Sequence, residues 1–198
     1  MGLESIYING QTPLDEEEKE DLKIKTISTR GELDEFEQAN IEKAIEWTLK
    51  INPSYDKILS VAFIKEVHKR MFSEVWGWAG TFRKTNKNIG IDKYQIEIEL
   101  TALMADCKFW IENKIFAEDE IAIRFKHRLV KIHPFPNGNG RHSRLCADIL
   151  ISKGLKGKVF TWGSQNITEK GVTRSKYLNA IYEADKENII PLLDFART

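Results

Sequence analysis

Residues 133–144 read HPFPNGNGRHSR. The stretch interrupts two helical patterns, and its reading decides what those helices carry. Upstream, IAIRFKHRLVKI puts Ile121, Phe125, Leu129 and Ile132 on one face at spacings of three and four. Pro134 and Pro136 then force an extended turn, because a residue before proline disfavours the α conformation. Phe135 is the large apolar residue of that turn and is expected to anchor it in the core. Downstream, Asn137-Gly138-Asn139-Gly140 opens a second helix expected over 139–153. Glycines there permit positive φ and close backbone approach, so several N–H groups can converge on an anion at the helix start. Arg141 and Arg144, at i and i+3, can reach the same anion. One phosphate would not require all of this; a polyphosphate would. His133, at the rim, is placed to take a proton from an attacking hydroxyl. The residues alone describe a nucleotide-phosphate site with an adjacent base.

The rest of the 198 residues reads as one helical domain. Residues 1–28 form a polar N-terminal arm with the acidic run DEEEKED at 15–21, expected to be solvated or a short first helix. Thr29 and Glu32 spell a capping box that opens a helix to about Leu49, and SVAFIKEVHKRMF over 60–72 is a second amphipathic helix. Between Trp76 and Ile98 the helical period fails, and the partial alternation of NIGIDKYQI predicts a loop and a small β-hairpin flap. Helices are expected again over 97–112, 118–131, 168–185 and 189–197. The fold class is all-α with a minor β element, as a single domain over 29–198.

Thirty basic and thirty acidic side chains cancel, so no global basic field points to direct nucleic-acid binding, and Lys84, Lys87 and Lys93 read as a solvated flap. Cys107 and Cys146 fall inside apolar helical patterns and are expected to be reduced core thiols. The five tryptophans are expected to be core anchors, and His68 a surface or core-edge residue. His127, His133 and His142 match no zinc spacing. No run approaches a membrane span, and the first residues lack the features of a secretory signal. The expected location is cytoplasmic, where the Asn166-Ile167-Thr168 sequon would carry no meaning.

HPFPNGNGRHSR closely resembles the Fic-domain motif HPFxxGNGRxxR. WAGTFR at 78–83 looks like the family's segment before the flap, and RSKYLNAIYEADKENIIPLLDFA at 174–196 like its closing helices. ELDEFEQANI looks most like the subgroup called mobile mystery protein B. The resemblance implies a helical adenylyltransferase moving AMP from ATP to a Ser, Thr or Tyr hydroxyl of a target protein, and of itself. His133 matches the base, and Gly138, Asn139 and Gly140 the phosphate cradle. Arg141 and Arg144 match the arginines on the distal phosphates, with Arg144 on the γ-phosphate. Ile89, Gly90, Ile91, Tyr94 and Ile96 match the target-docking flap, and Tyr177 and Asn179 the nucleotide-base contacts. Some relatives work with a small regulatory or antitoxin-like partner. Asn137 stands where the family usually has an acidic ligand for Mg²⁺. A neutral amide is a weaker ligand, so three outcomes stay open: metal held mainly by ATP, slow turnover, or a nucleotide-binding module that no longer transfers AMP. Phosphoryl transfer and removal of AMP remain as other reactions of the same site.

Family members also resemble one another in an inhibitory helix, Ser/Thr-x-x-x-Glu-Gly/Asn. Ser28 and Glu32 fit its first part, Leu33 breaks it, and Glu32 already serves the capping box. On the helix over 29–50, Leu33, Phe36, Asn40, Ile41, Ala44, Trp47 and Ile51 share a face, and Glu37 falls on it. A buried carboxylate needs a partner; Arg144 is the expected one, making Glu37 the preferred inhibitory residue, with another core polar group or a reach to solvent as the alternative.

Overall fold

The computed structural model describes residues 14–163 and 170–198. Among these residues the architecture is helical and contains no sheet. In chain order the helices are α1 (Glu16–Glu20), α2 (Arg30–Lys50), α3 (Tyr55–Ile58), α4 (Val61–Phe72), α5 (Ile96–Glu112), α6 (Glu118–Ile132), α7 (Asn139–Ile149), α8 (Lys170–Asp185) and α9 (Ile190–Arg197). A wider helical turn over Leu150–Gly154 prolongs α7. Residues 1–13 of the arm, the Asn166 sequon and the first residues of the expected 168–185 helix lie outside the described residues.

α6 is the spine. Ile121, Phe125, Leu129 and Ile132 are buried as their spacing requires, but Ala122, Ile123, Lys126 and His127 are buried too. The helix is enclosed by α5, α7 and α9 rather than resting on one side of a core. α2 lies along α4, and α4 in turn meets α5 and α7. The capping box is present: the Glu32 N–H donates to Thr29 Oγ1 at 3.2 Å, and Glu32 Oε2 accepts from the N–H groups of Ser28 and Thr29. Cys107 and Cys146 are fully buried, and burial pushes the Cys107 thiol up to about 12. Trp76 and Trp78 are core residues stacked at 4.9 Å, while Trp47, Trp110 and Trp162 are partly buried against the core. Phe36 departs from the expected face of α2 and is 45% exposed; Thr48 is buried instead.

Two segments differ from the sequence expectation. The acidic run forms the expected short first helix, α1, with no buried residue, but its flanks are packed down: Leu14, Leu22 and Ile27 join the core, Leu22 forms an isolated antiparallel bridge with Trp76, and Trp78 Nε1 donates to the Glu18 carbonyl. The expected β-hairpin flap does not form among the described residues. Residues 84–92 are an irregular loop leading into a 3₁₀ turn at Lys93–Gln95. The reason lies in the side chains. Arg83 takes the Thr85 and Ile91 carbonyls, Asn86 takes the Lys93 N–H, and Asp92 takes the Tyr94 N–H. These are the backbone groups that a strand ladder would use. Ile96, assigned to the flap, is the first residue of α5 and is buried in the core.

Candidate active site

The motif loop is held from four sides. Phe135 is fully buried and stacks on the His68 ring, 3.7 Å between centroids and 14° between planes. The buried Asn139 side chain closes the loop on itself: Phe135 N donates to Oδ1 at 3.0 Å, and Nδ2 donates to the Phe135 carbonyl at 2.8 Å. His68 Nδ1 accepts from the Gly80 N–H, so its other ring nitrogen carries the proton and donates to the Asn137 carbonyl at 3.1 Å. Far from lying at the surface, His68 is a buried strut of the loop, and desolvation keeps it neutral. Gly138 has φ 77, and a Cβ there would meet the Phe72 ring at 2.5 Å, so glycine is required on both counts.

His133 ends α6 in the left-handed region, φ 55 and ψ 58, rather than in an extended turn. For a non-glycine residue this conformation is strained by about 1–3 kcal/mol and persists only where the surroundings fix it. They do: Arg83 Nε donates to the His133 carbonyl at 2.7 Å, and a ring N–H of His133 bonds to Val130. Desolvation first, then the nearby Arg83 and Lys87 cations, lower the imidazole to about 4 against the Val130 bond. The ring is therefore neutral at pH 7 and able to accept a proton. An arriving polyphosphate would raise its basicity, because added negative charge stabilises the imidazolium.

Gly138 is the N-cap of α7 and brings no side-chain cap, and the first-turn N–H groups that follow it have no partner within the helix. A Cβ on Gly140 would meet nothing within 4 Å, so the space beside it is open. Arg141 lies over the Phe72 ring, its guanidinium 5.0 Å from the centroid. Arg144 lies over the Tyr177 ring at 5.5 Å. Tyr177 accordingly reaches the motif helix, whereas Asn179 does not. Two residues along a helix point to nearly opposite sides, and Asn179 is exposed in the groove between α8 and α9.

Glu37 is 2% exposed and does meet a motif arginine, but the partner is Arg141, not Arg144. Arg141 Nη1 is 2.7 Å from Glu37 Oε2, an ion-pair distance at an angle outside hydrogen-bond geometry, while Trp76 Nε1 donates to Oε1 at 2.7 Å. Glu32 stays at the exposed start of α2, occupied by its cap, and does not reach the motif. Lys126 had no sequence prediction attached to it. It is fully buried, donates to the Tyr177 hydroxyl at 2.5 Å, and is pushed well below its usual range by desolvation and then by Arg144. The stripe Ala122–Lys126–Leu129 was the available signal.

The loop expected to dock a target lies directly against His133. Gly90 has φ 94, and a Cβ on it would stand 2.6 Å from His133 Cβ. Ile91 N donates to the Ile132 carbonyl, while Ile89 and Tyr94 are 45% and 80% exposed. For a metal the donors do not fit. Asn137 Oδ1 accepts from the Gly138 N–H at 2.6 Å, and no group of three or more His, Cys, Asp or Glu converges among the described residues. The loop offers a neutral oxygen already in use.

Comparison with known proteins shows what the chain is similar to. Residues 58–151 match the model of the Fic/DOC family. A protein named "Protein adenylyltransferase Fic" from Aedes aegypti is 24% identical over 196 residues, covering 96% of this chain, and one of the same name from Culex quinquefasciatus is 23% identical. The chain spans 38% of the length of each of those relatives. Among solved structures, the N-terminal Fic domain of a cell filamentation protein from Bartonella quintana superposes with a TM-score of 0.70 at 20% identity, covering 88% of this chain and 84% of that one. The BepC protein of Bartonella tribocorum, solved with bound AMPPNP, gives 0.65 at 19% identity, covering 96% and 93%. Motif, helical framework and relatives point the same way: residues 58–151 match the Fic/DOC family, and the helical framework has the fold of solved Fic domains.

Proposed function

We propose that the protein is an adenylyltransferase that moves AMP from ATP to a hydroxyl of a target protein, and to itself. The observation that carries this reading is the neutral, strained His133 standing between an anion cradle and an exposed docking loop. The first-turn N–H groups of α7, with Arg141 and Arg144, would hold the polyphosphate. A target segment laid along Ile89, Gly90, Ile91 and Tyr94 would present its hydroxyl to His133. His133 takes the hydroxyl proton, the freed oxygen attacks the α-phosphorus, and the bond to the β-phosphate oxygen breaks. Pyrophosphate leaves with the charge that the two arginines stabilise. Adenylyltransferase names among the curated relatives and nucleotides bound in two of the similar structures, ADP and AMPPNP, support the choice of ATP.

Glu37 acts as the inhibitory residue in this proposal, by occupying Arg141. Tyr177 and Lys126 would shape the nucleotide pocket behind Arg144. Magnesium enters as a companion ion of the triphosphate, not as a resident of the protein. The partners are a target protein at the docking loop and a small regulatory protein able to keep Glu37 in place. The setting is the cytoplasm; no helix among the described residues is long and apolar enough to cross a membrane. One observation favours a second reading, a weakly catalytic nucleotide-binding module: Asn137 supplies a neutral amide already bound to Gly138.

Label position decides between reactions. ATP labelled at the α-phosphate should leave its label on protein in a His133-dependent manner, and γ-labelled ATP should not. Label from the γ-position on protein would mean phosphoryl transfer, and binding without transfer of either label would mean the module.

A further inference from the structure

Arg83 is 3% exposed, and its guanidinium spends its donors on four separate points of two loops. Nε donates to the His133 carbonyl at 2.7 Å. Nη1 donates to the Thr85 carbonyl at 2.9 Å and reaches Asn86 Oδ1 at 3.4 Å. Nη2 donates to the Ile91 carbonyl. The Arg83 N–H completes the set by donating to the Pro134 carbonyl at 2.9 Å. One side chain thus grips both ends of the docking loop and the backbone of the base. A rigid planar fork can do this; a lysine ammonium on a flexible stem cannot match the same spread of acceptors.

The geometry around the fork leaves little freedom. Ile91 is bonded at its carbonyl by Arg83 and at its N–H to Ile132, and Arg83 also holds the Thr85 carbonyl, so the loop is tied on both sides of Gly90. Gly90, in turn, has no room for a Cβ beside His133, and that same Cβ would lie 3.2 Å from Arg83 Nη2. Loop and base are therefore in contact at the one residue where a side chain is missing. The loop has no strand partner to set its register. Further out, Lys87 is clasped by Asp15 at 2.8 Å and Glu18 at 2.5 Å, which fixes the far side of the loop to α1.

We propose that Arg83 is a positioning residue that sets the register between the target-docking loop and His133, replacing the ladder a paired hairpin would supply. It touches neither nucleotide nor target hydroxyl. Its effect is to hold the docked hydroxyl within reach of the imidazole. The proposal rests on the adenylyltransferase reading only for its functional consequence; the register itself is a structural claim that can be read without activity.

The test uses the full chain as wild type, Arg83→Lys and Arg83→Met. Amide hydrogen exchange at pH 7 should show residues 84–92 opening about tenfold faster or more in both variants, with the amides of α7 unchanged. Unchanged protection of 84–92 in Arg83→Met would overturn the inference. So would equal acceleration in α7, since Arg83 would then serve general stability. In the Glu37→Gly background, the ratio of AMP attached to protein over AMP released to water should fall about tenfold for Arg83→Met, because water needs no docking loop, with ATP affinity unchanged. A constant ratio would overturn the functional half. If no AMP is attached or released even with Arg83 intact, the adenylyltransferase reading fails, while the exchange result still decides the register.

Discussion

Lowering the pH from 7 to 5 should cost the fold at least about 2 kcal/mol, long before ordinary carboxylates titrate. His133 and His142 are buried neutral, each held at about 4 against an ordinary 6.5. A base whose folded pKa is depressed stabilises fully above the unfolded value and loses that stability as the pH falls from 6.5 toward 4. At about 1.4 kcal/mol per unit, each histidine forfeits a little under 2 kcal/mol by pH 5. His68 and His127 are shifted in the same direction by burial and add to the loss. Asp148 opposes it. Desolvation raises its carboxyl to about 6, so protonation favours the folded chain and returns about 1 kcal/mol by pH 5. The histidines win. With a urea slope near 2 kcal/mol per molar, the midpoint followed by tryptophan fluorescence should fall by about 1 M or more. Asp148→Asn, which removes the opposing group, should make the pH-dependent part of the loss larger by about 1 kcal/mol. A midpoint that holds steady or rises between pH 7 and 5 would refute the picture of imidazoles locked neutral around the motif loop.

Gly138→Ala adds a Cβ 2.5 Å from the Phe72 ring at a residue with φ 77, and should cost about 2–4 kcal/mol, read as a lower melting temperature. Gly140→Ala, whose Cβ meets nothing, is the control and should leave the melt nearly unchanged while weakening ATP binding measured calorimetrically. Asn137→Asp supplies the anionic oxygen the loop lacks and should tighten Mg²⁺ binding to the ATP complex about tenfold in a calorimetric titration. No change in Mg²⁺ affinity would mean that the side chain at 137 does not face the triphosphate.

The parts of this protein that were legible in its sequence are those whose chemistry is local. Thr29 and Glu32 meet across one helical turn, and Phe135 has nowhere to go but inward from its turn. The positive φ at Gly138 is what an Asn-Gly pair before a helix announces. Long-range partners were not legible. Periodicity placed Glu37 on the buried face, but whether Arg141 or Arg144 met it depended on how α2 lies across α4 and α7. The alternation of NIGIDKYQI suggested strands, yet Arg83, Asn86 and Asp92 capture the backbone groups that strands would pair. No local pattern reveals what an arginine eight residues away will bind. His68 could have been recognised: Ile64, Val67, Met71 and Phe72 are all buried, and His68 shares their face of α4. Asn179 carried a warning in its own spacing, since Tyr177 and Asn179 cannot both face one site from a single helix.

Intact mass after incubation with ATP and Mg²⁺ tests the central claim most directly, on wild type, Glu37→Gly and His133→Ala, with ATP affinity measured alongside. Glu37→Gly frees Arg141 from its 2.7 Å partner. It should bind ATP about tenfold more tightly and gain one or more adenylyl groups faster than wild type. His133→Ala should bind ATP and gain none. Adenylyl mass that persists without His133, or none in Glu37→Gly even though it binds ATP tightly, would contradict the account.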